Sequence, residues 1–240
     1  MDDAQVYEIG RHRVAITCRD GVGPPTPYSL FLAEHIPEIP GSKVVDVGTG
    51  SGILAIVARL QGAALVYVLD TNAAAISLAM ENAERNGVRD GLVHLPTDRS
   101  MIPLPAGETV DMVICNPAQL PLPEADRADS PFYAGKDGRL MIEGVIRDTP
   151  GRLSPGGRLL MTHNSLADWP ASARLMEAQG LEPHVLAQRV LEFRSFINRA
   201  WLDELGGTAR ELYTVRDGRA YETLYVVEAG LRGSAGAQRS

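Results

Sequence analysis

The sequence has few of the features that mark secreted, membrane or metal-binding proteins. Its 240 residues include only two cysteines, Cys18 and Cys115, whose spacing fits neither a disulfide framework nor a metal site. Apolar runs stay far below the roughly 18 residues of a membrane-spanning helix. The acidic N-terminus, MDDAQVYEIG, lacks the basic and apolar regions of a signal peptide. We therefore expect a cytoplasmic protein with reduced thiols, without a metal and without a membrane partner.

Positive charge is scarce as well. The chain has 23 Lys and Arg against 30 Asp and Glu, which gives a formal net charge of -7. Because nucleic-acid binders usually carry a basic stripe, this balance argues against a nucleic-acid partner. Hydrophobic residues make up 45% of the chain, which is enough for one large domain with a sizeable core.

Strand and helix patterns alternate along most of the chain, as in an open parallel sheet with helices on both faces. The predicted strands are 43–47, 63–69, 92–95, 110–115, 158–162, 182–192 and 220–228. The predicted helices of this region are 53–60, 72–86, 139–152, 169–179 and 197–205. The last two strands are long and can pair antiparallel. The sequence therefore predicts an α/β protein with a Rossmann-like, doubly wound, mostly parallel seven-stranded sheet and an antiparallel C-terminal strand pair.

The chain divides into three parts by composition. Residues 1–41 contain a short strand at 13–17, the Gly/Pro-rich run GVGPPTPYS and a helix at 28–35, and we expect this extension to pack on the core. Residues 42–230 form the main domain. Residues 231–240 lack apolar periodicity, so we expect a mobile tail.

The most informative stretch is VVDVGTGSG at residues 44–52. A β-branched strand containing Asp46 runs into a turn with three glycines, at Gly48, Gly50 and Gly52. Glycine permits backbone angles and close approaches that a Cβ would block. A helix follows, with Ser51 as a candidate cap. This order of strand, turn and helix predicts backbone N–H groups that point at a ligand.

The spacing of the glycines separates two functions. A dinucleotide turn, G-x-G-x-x-G, needs a third glycine where Ile53 stands, which disfavours NAD. The form D-x-G-T-G-S-G resembles the first motif of the class I S-adenosylmethionine-dependent methyltransferases, whose cofactor has no pyrophosphate. The resemblance implies that S-adenosyl-L-methionine is bound by the turn residues Asp46, Gly48, Thr49, Gly50 and Gly52. The ammonium group of this cofactor favours a nearby carboxylate such as Asp46.

Two further acids follow strands of the predicted sheet. Asp70 ends the second strand, at the sheet edge where ligands bind, and can accept hydrogen bonds from both ribose hydroxyls. Thr71 is a neighbouring candidate for cofactor contact. Helix capping is the alternative role for both residues. Asp98 follows the third strand, where the resemblance implies an acid near the adenine amino group; a solvated loop acid is the alternative.

A second motif ends the fourth strand, in VDMVICNPAQLP. Asn116 and Pro117 reach the same sheet edge as the glycine turn, and they resemble the start of an N-P-P-Y motif. That motif belongs to release-factor glutamine N5-methyltransferases and to adenine- and guanine-N-methylating enzymes. The resemblance implies that the Asn116 side chain and the Pro117 carbonyl accept hydrogen bonds from an NH2 group and orient its lone pair toward the methyl carbon. Asn116 would also contact the cofactor. An ordinary turn after a strand is the alternative.

The last two positions of the motif depart from the family pattern. Ala118 and Gln119 stand in place of Pro and Tyr, which removes an aromatic stacking surface. Gln119 offers a donor and an acceptor instead, so we expect both residues to contact a polar, non-aromatic acceptor.

The segment VGPPTPYSLFLAEHI resembles the one that precedes the fold in the glutamine-methylating branch. There a Thr or Ser contacts the methionine end of the cofactor, and Ser29 matches that hydroxyl best. The acid usually found in that segment is replaced, with Pro27 or Tyr28 near its place. Pro27 also suits the first turn of a helix, so helix initiation is the alternative interpretation.

His163 and Asn164 follow the fifth strand, and we expect both at the pocket edge. There His163 would contact the substrate and could take a proton from it at neutral pH; a structural histidine is the alternative. The leading hypothesis is methyl transfer to a nitrogen of an amide, amine or guanidine, on a small molecule or a protein glutamine. O- or C-methylation with His163 as base is a second hypothesis. A cofactor-binding module without catalysis is a third, because two motif residues are replaced.

Overall fold

A computed structural model describes residues 4–97, 102–121, 134–192 and 213–233. In these ranges the strands are Gln5–Ile9 (β1), His12–Ile16 (β2), Lys43–Val47 (β3), Leu65–Leu69 (β4), Leu92–His94 (β5), Val110–Cys115 (β6), Leu153–Asn164 (β7), Leu181–Glu192 (β8), Thr214–Arg216 (β9) and Arg219–Leu231 (β10). The α-helices are Pro27–Ala33 (α1), Ile53–Leu60 (α2), Ala73–Arg85 (α3), Leu140–Asp148 (α4) and Trp169–Ala178 (α5). The helix predicted at 197–205 and the tail after residue 233 lie outside the described residues.

Seven strands form the path of the main sheet, in the order β5-β4-β3-β6-β7-β10-β8. Strands β3 to β7 are parallel, whereas β10 runs antiparallel between β7 and β8. The predicted fold class is confirmed, and the short β9 adds an eighth strand that pairs with β10. The strand order changes direction between β3 and β6. In open sheets of this kind the ligand crevice lies at the carboxyl ends of the strands at such a switch point.

Helices cover both faces of the sheet. Buried side chains of α1, α2 and α3 pack on one face against residues such as Val44, Met112 and Leu160. Helices α4 and α5 pack on the other face, against residues such as Val45 and Val113. Alternate residues of a strand point to opposite faces, so β3 and β6 are apolar along nearly their whole length. These apolar runs are the reason that the sequence predicts the bounds of both strands.

The residues before the main sheet form a hairpin of β1 and β2 that docks on α3. Asn86, the C-cap of α3, accepts a hydrogen bond from the Ala15 N–H at 2.9 Å and donates one to the Ala15 carbonyl at 2.8 Å. Asn82 is fully buried and pairs in the same way with Thr17, at 2.9 and 3.2 Å. The Asn82 amide also donates to the Ser51 carbonyl at 2.9 Å. The hairpin is therefore connected to the glycine turn through one side chain.

The helix starts agree only in part with the sequence. Pro27 occupies the first turn of α1, with Thr26 as the N-cap, and Asn72 caps α3 with its side chain. Helix α2 begins after Gly52, which has a φ of 86° and provides no side-chain cap. Ser51 is therefore not the cap, because the left-handed glycine itself occupies that position.

Among the described residues, none of the helices combines the length and the apolar character needed to cross a membrane. Cys18 is partly exposed, Cys115 is buried, and both are free thiols. Burial raises the pKa of each thiol. Both cysteines are therefore uncharged and weakly nucleophilic at neutral pH.

Candidate functional site

Glycine is needed for a different reason at each of three positions in the turn between β3 and α2. Their φ angles are 76° at Gly48, 53° at Gly50 and 86° at Gly52. A Cβ on Gly52 would lie 2.9 Å from the Ala79 backbone in α3, and one on Gly48 would lie 3.1 Å from the Met141 methyl group. A Cβ on Gly50 would meet no atom of the described residues within 4 Å. Gly48 and Gly52 therefore serve packing, and Gly50 lies on the open side of the turn.

The backbone N–H groups of the turn are bonded within the protein. Those of Gly48 and Thr49 both donate to the Leu69 carbonyl, at 2.8 and 2.9 Å. The Gly50 N–H donates to the Asp70 carboxylate at 2.9 Å. For these three groups the prediction that they point at a ligand is wrong, because the end of the neighbouring strand β4 supplies acceptors. They are therefore not available to a phosphate, which agrees with a ligand that lacks a pyrophosphate.

Asp46 lies beneath the turn and is completely buried. Its Oδ2 accepts a hydrogen bond from the Thr49 hydroxyl at 2.6 Å. Its Oδ1 is buried without a hydrogen-bond partner in the described part of the chain. Burial raises the pKa of this carboxyl to about 7, and the hydroxyl of Thr49 and the N–H of Ala55 only partly offset that effect. Among the residues that the structure describes, no positively charged group compensates this buried carboxyl.

Asp70 joins the ends of β3 and β4. Its two carboxylate oxygens accept the N–H groups of Gly50 and Asn72, each at 2.9 Å. Each oxygen keeps the capacity for a further hydrogen bond, and the side chain is partly exposed. Thr71 beside it is exposed. Asp98, the predicted adenine contact, lies outside the described residues.

Asn116 follows β6, and β6 and β3 pair up to the last residue of each strand. Asn116 and Gly48 are therefore neighbours at the carboxyl edge, as the sequence predicts. The Asn116 side chain is partly exposed, and its Oδ1 accepts a hydrogen bond from the Thr162 hydroxyl at 2.6 Å. Pro117 is buried and Ala118 is partly exposed. This corner brings a hydrogen-bonding amide next to the glycine turn.

The structure contradicts the prediction that the Gln119 side chain contacts the substrate that accepts the methyl group. Gln119 is only 4% exposed, and both ends of its amide are bonded within the protein. Nε2 donates to the Thr162 hydroxyl at 3.0 Å, and Oε1 accepts the Asn164 N–H at 2.6 Å. The side chain points into the sheet edge because the Thr162 hydroxyl and the Asn164 N–H of β7 bond it there.

The structure also contradicts the predictions for His163 and Asn164 at the pocket edge. Both are completely buried. The His163 ring nitrogens lie 2.7 Å from the Asn164 carbonyl and 2.8 Å from the Ser172 hydroxyl. Burial lowers the pKa of His163 to about 4, so it is neutral at physiological pH. Strand β7 includes residue 163, and the alternation of the strand turns the histidine toward α5.

Ser29 has a structural role in α1. Its hydroxyl accepts the Thr26 N–H at 2.8 Å and donates to the Thr26 carbonyl at 3.0 Å, while the Thr26 side chain accepts the Ser29 N–H. This capping box agrees with the alternative of helix initiation. The residue is buried, and its predicted contact with the cofactor stays a prediction.

Sequence reasoning missed two residues of this corner. Thr162 is completely buried and connects Gln119 to Asn116. Gly138, just before α4, has a φ of 74°, and a Cβ there would lie 2.6 Å from the Gln119 carbonyl oxygen. Counting alternate residues from Leu160 could have placed Thr162 on the face of Asn116. The contact of Gly138 leaves no sequence signal, because it joins distant parts of the chain.

The glycine turn after β3, the acid after β4 and the Asn-Pro pair after β6, on a mostly parallel sheet, define a class I S-adenosylmethionine-dependent methyltransferase. A model of the ribosomal protein L11 methyltransferase (PrmA) family matches residues 21–150, more than half of the chain. The chain belongs to this family. It is an enzyme that uses S-adenosyl-L-methionine as its methyl donor.

Individual relatives carry methyltransferase names of two kinds. A putative protein N5-glutamine methyltransferase of Methanocaldococcus jannaschii is 26% identical over 182 residues, which cover 74% of this chain and 90% of the relative. A ribosomal protein L11 methyltransferase of Symbiobacterium thermophilum is 36% identical over 160 residues, which cover 67% of this chain and 40% of the relative. The chain thus matches less than half the length of the L11 enzyme.

Solved structures share the fold. The T. thermophilus 16S rRNA N2 G1207 methyltransferase (RsmC), in complex with AdoMet and guanosine, superposes with a TM-score of 0.60 at 19% identity. The superposition covers 95% of this chain and 50% of that one. At this identity the likeness concerns the fold alone.

The residues of this site fit S-adenosyl-L-methionine. The buried Asp46 Oδ1, which has no partner among the described residues, can neutralise the ammonium group of the cofactor. The two Asp70 oxygens can accept the ribose hydroxyls. The open space beside Gly50 lets the cofactor approach the backbone.

Proposed function

We propose that this methyltransferase transfers a methyl group to a nitrogen atom. The observation that carries the proposal is the position of Asn116 and Pro117 at the end of β6, beside the glycine turn that follows β3. A side-chain amide and a backbone carbonyl are hydrogen-bond acceptors, and they suit a group with two N–H bonds. An amine, an amide or a guanidine has such a group.

The cofactor would be held by residues of the β3 and β4 ends. We assign the ribose hydroxyls to Asp70, with Thr71 at the edge of the same pocket, and the methionine ammonium to Asp46. Gly48, Thr49, Gly50 and Gly52 would form the wall against which the cofactor lies, with Asn116 and Ser29 near its methionine end. When bound, S-adenosyl-L-methionine supplies a methyl carbon activated by a positively charged sulfur.

The chain itself would contribute mainly orientation. The Asn116 Oδ1 and the Pro117 carbonyl accept hydrogen bonds from the two N–H groups of the substrate. The nitrogen lone pair is then directed at the methyl carbon. Holding reacting groups in line can supply a large part of the rate of such a displacement. His163 has no part in this scheme, since it is buried, neutral and bonded at both ring nitrogens. O- or C-methylation thereby loses the base on which that hypothesis depends.

The acceptor nitrogen would lie on a small molecule or on a protein glutamine. The M. jannaschii relative carries the name of a glutamine methyltransferase, and the family is named for a ribosomal protein. The departure from N-P-P-Y at Ala118 and Gln119 supports the small molecule instead, because an aromatic platform is missing at that position. A nucleic acid is disfavoured by the net charge of -7.

Labelling in a cell extract tests this proposal. The purified enzyme and S-adenosyl-L-methionine with a labelled methyl group are added to extract, which is then separated into protein, nucleic acid and small molecules. We expect the label on a nitrogen, in the protein or small-molecule fraction, and its transfer should survive nuclease treatment. Extract that receives the labelled cofactor without the enzyme is the control for background transfer. Label that is carried on oxygen, carbon or a nuclease-sensitive fraction contradicts the proposal.

A further inference from the structure

A chain of buried hydrogen bonds runs from the backbone of β7 to Asn116. The Asn164 N–H donates to Gln119 Oε1 at 2.6 Å, Gln119 Nε2 donates to Thr162 Oγ1 at 3.0 Å, and the Thr162 hydroxyl donates to Asn116 Oδ1 at 2.6 Å. Gln119 is 4% exposed, and Thr162 and Asn164 are not exposed at all. Water therefore cannot replace any of the inner links.

The first donor fixes the direction of every later bond. A backbone N–H can only donate, so Gln119 must turn its oxygen toward Asn164 and its NH2 group toward Thr162. The Thr162 oxygen then accepts that bond, and among the described residues its single hydrogen has Asn116 as its one acceptor. Asn116 must in turn present Oδ1 rather than Nδ2 to Thr162. The orientation of the Asn116 amide thus follows from the backbone of β7.

We propose that Gln119 and Thr162 are positioning residues, which fix the Asn116 amide so that Oδ1 can receive the acceptor nitrogen. This inference rests on the proposed function of Asn116. A carbonyl oxygen has two lone pairs. Thr162 occupies one of them, and the second stays available to an N–H bond of the acceptor.

The positioning role explains the variant motif of this chain. In N-P-A-Q the glutamine does not replace the stacking surface of an aromatic residue, because its side chain is turned away from the acceptor. The glutamine instead positions the Asn116 amide through the Thr162 hydroxyl, on the side away from the substrate. Gly138 packs closely on the same motif, because a Cβ there would lie 2.6 Å from the Gln119 carbonyl oxygen.

A nearly isosteric substitution can reverse the chain of hydrogen bonds. In Gln119→Glu the ionised carboxylate only accepts hydrogen bonds, so it takes the Thr162 hydrogen as well as the Asn164 N–H. The Thr162 oxygen is then an acceptor for Asn116, which turns its NH2 group inward and moves Oδ1 away. Once the introduced carboxyl is protonated, it has one O–H donor and restores the original direction. The effect of this substitution should therefore depend on pH.

The test uses two cofactor analogues and needs no acceptor substrate. S-adenosylhomocysteine lacks the methyl group, and sinefungin carries an ammonium-bearing carbon where S-adenosyl-L-methionine has its sulfur and methyl group. An ammonium at that position can donate to Asn116 Oδ1. We define the sinefungin preference as the Kd of S-adenosylhomocysteine divided by the Kd of sinefungin, both measured by calorimetry.

We expect Gln119→Glu and Thr162→Val to reduce the sinefungin preference about 10-fold, the effect of losing one charged hydrogen bond. Neither variant should change the Kd of S-adenosylhomocysteine. Thr162→Ser keeps the hydroxyl and should retain most of the preference. Gln188→Glu, the same substitution on the exposed edge strand β8, is the matched control and should leave both Kd values unchanged.

A pH series separates positioning from general damage to the fold. Relative to the unsubstituted protein at each pH, the preference of Gln119→Glu should recover as pH falls and the introduced carboxyl becomes protonated. A structural defect has no reason to recover on acidification. The preference of Thr162→Val should stay low throughout.

The outcomes also distinguish the inference from the proposed function. If Asn116→Ala lowers the sinefungin preference while Gln119→Glu and Thr162→Val leave it unchanged, the positioning role is overturned and the role of Asn116 stands. If Asn116→Ala leaves the preference unchanged, Asn116 does not face the transferred group, and the proposed function fails together with the inference.

Discussion

At the scale of single residues, the glycine turn assigns different tasks to residues of one type. Gly52 packs against the backbone of α3, whereas Gly50 borders open space. The two acids, Asp46 and Asp70, also differ, because one is completely buried beneath the turn and the other is partly exposed and joins two strand ends. Glycines of one motif thus differ in their roles: some positions maintain the fold, and others border the space that we assign to the cofactor.

A pair of alanine substitutions separates these two tasks. Gly52→Ala should lower the free energy of unfolding by about 3 kcal/mol, since its Cβ would lie 2.9 Å from the Ala79 backbone at a φ of 86°. Gly50→Ala should cost about 1 kcal/mol for its φ of 53°. Its Cβ projects into the cofactor side, so it should weaken S-adenosylhomocysteine binding ~10-fold or more. Urea unfolding and calorimetry provide the two readouts, and a Gly50→Ala protein with unchanged affinity would refute the assignment.

At the scale of elements, α3 connects the N-terminal hairpin to the glycine turn. Asn82 bonds Thr17 of the hairpin segment and also the Ser51 carbonyl of the turn. The Asn86 side chain, one helical turn away, bonds the hairpin and its own helix and no other part of the described chain. The two asparagines occupy the same face of α3, because residues four apart are neighbours on a helix. They form a matched pair that differs in its contact with the site.

We expect Asn82→Ala to destabilise the protein by about 3 kcal/mol, because it leaves several buried polar groups without partners. Asn86→Ala should cost about 1 kcal/mol, since its site is partly open to water. Only Asn82→Ala should also weaken cofactor binding, through the released Ser51 carbonyl. Urea unfolding and calorimetric titration with S-adenosylhomocysteine measure both effects. Equal losses of cofactor affinity in the two variants would contradict the connection.

Elements buried on both faces can be predicted from the sequence more accurately than short, exposed ones. Strands β3 and β6 were predicted with correct bounds because strands buried on both faces are continuously apolar. Strand β1 was missed, since QVYEI is short and mixes polar and apolar residues on an exposed hairpin. The predicted position of the His163 side chain was wrong because β7 extends to residue 164 instead of ending at 162. Within a strand, a shift of one residue moves a side chain to the other face of the sheet. Gln119 could not be placed, since its partners come from another strand.

At the scale of the whole molecule, the site follows from the topology of the sheet. The strand order changes direction between β3 and β6, so the carboxyl ends of these two strands meet at one crevice. The turn after β3 and the Asn-Pro pair after β6 are therefore adjacent although they are far apart in the sequence. Under the proposed function, the residues that would bind the methyl donor and the methyl acceptor lie on these neighbouring strands, close enough for an in-line displacement.

The central claim is that Asn116 orients the acceptor without holding the cofactor in place. Its most direct test is a comparison of Asn116→Ala with the unsubstituted enzyme, in which methyl transfer to the labelled extract fraction and the Kd of S-adenosylhomocysteine are measured side by side. We expect transfer to fall at least ~100-fold, because orientation of the nitrogen is lost, while the Kd changes less than about 3-fold. Full transfer by Asn116→Ala, or a loss of transfer explained entirely by weaker cofactor binding, would contradict the claim.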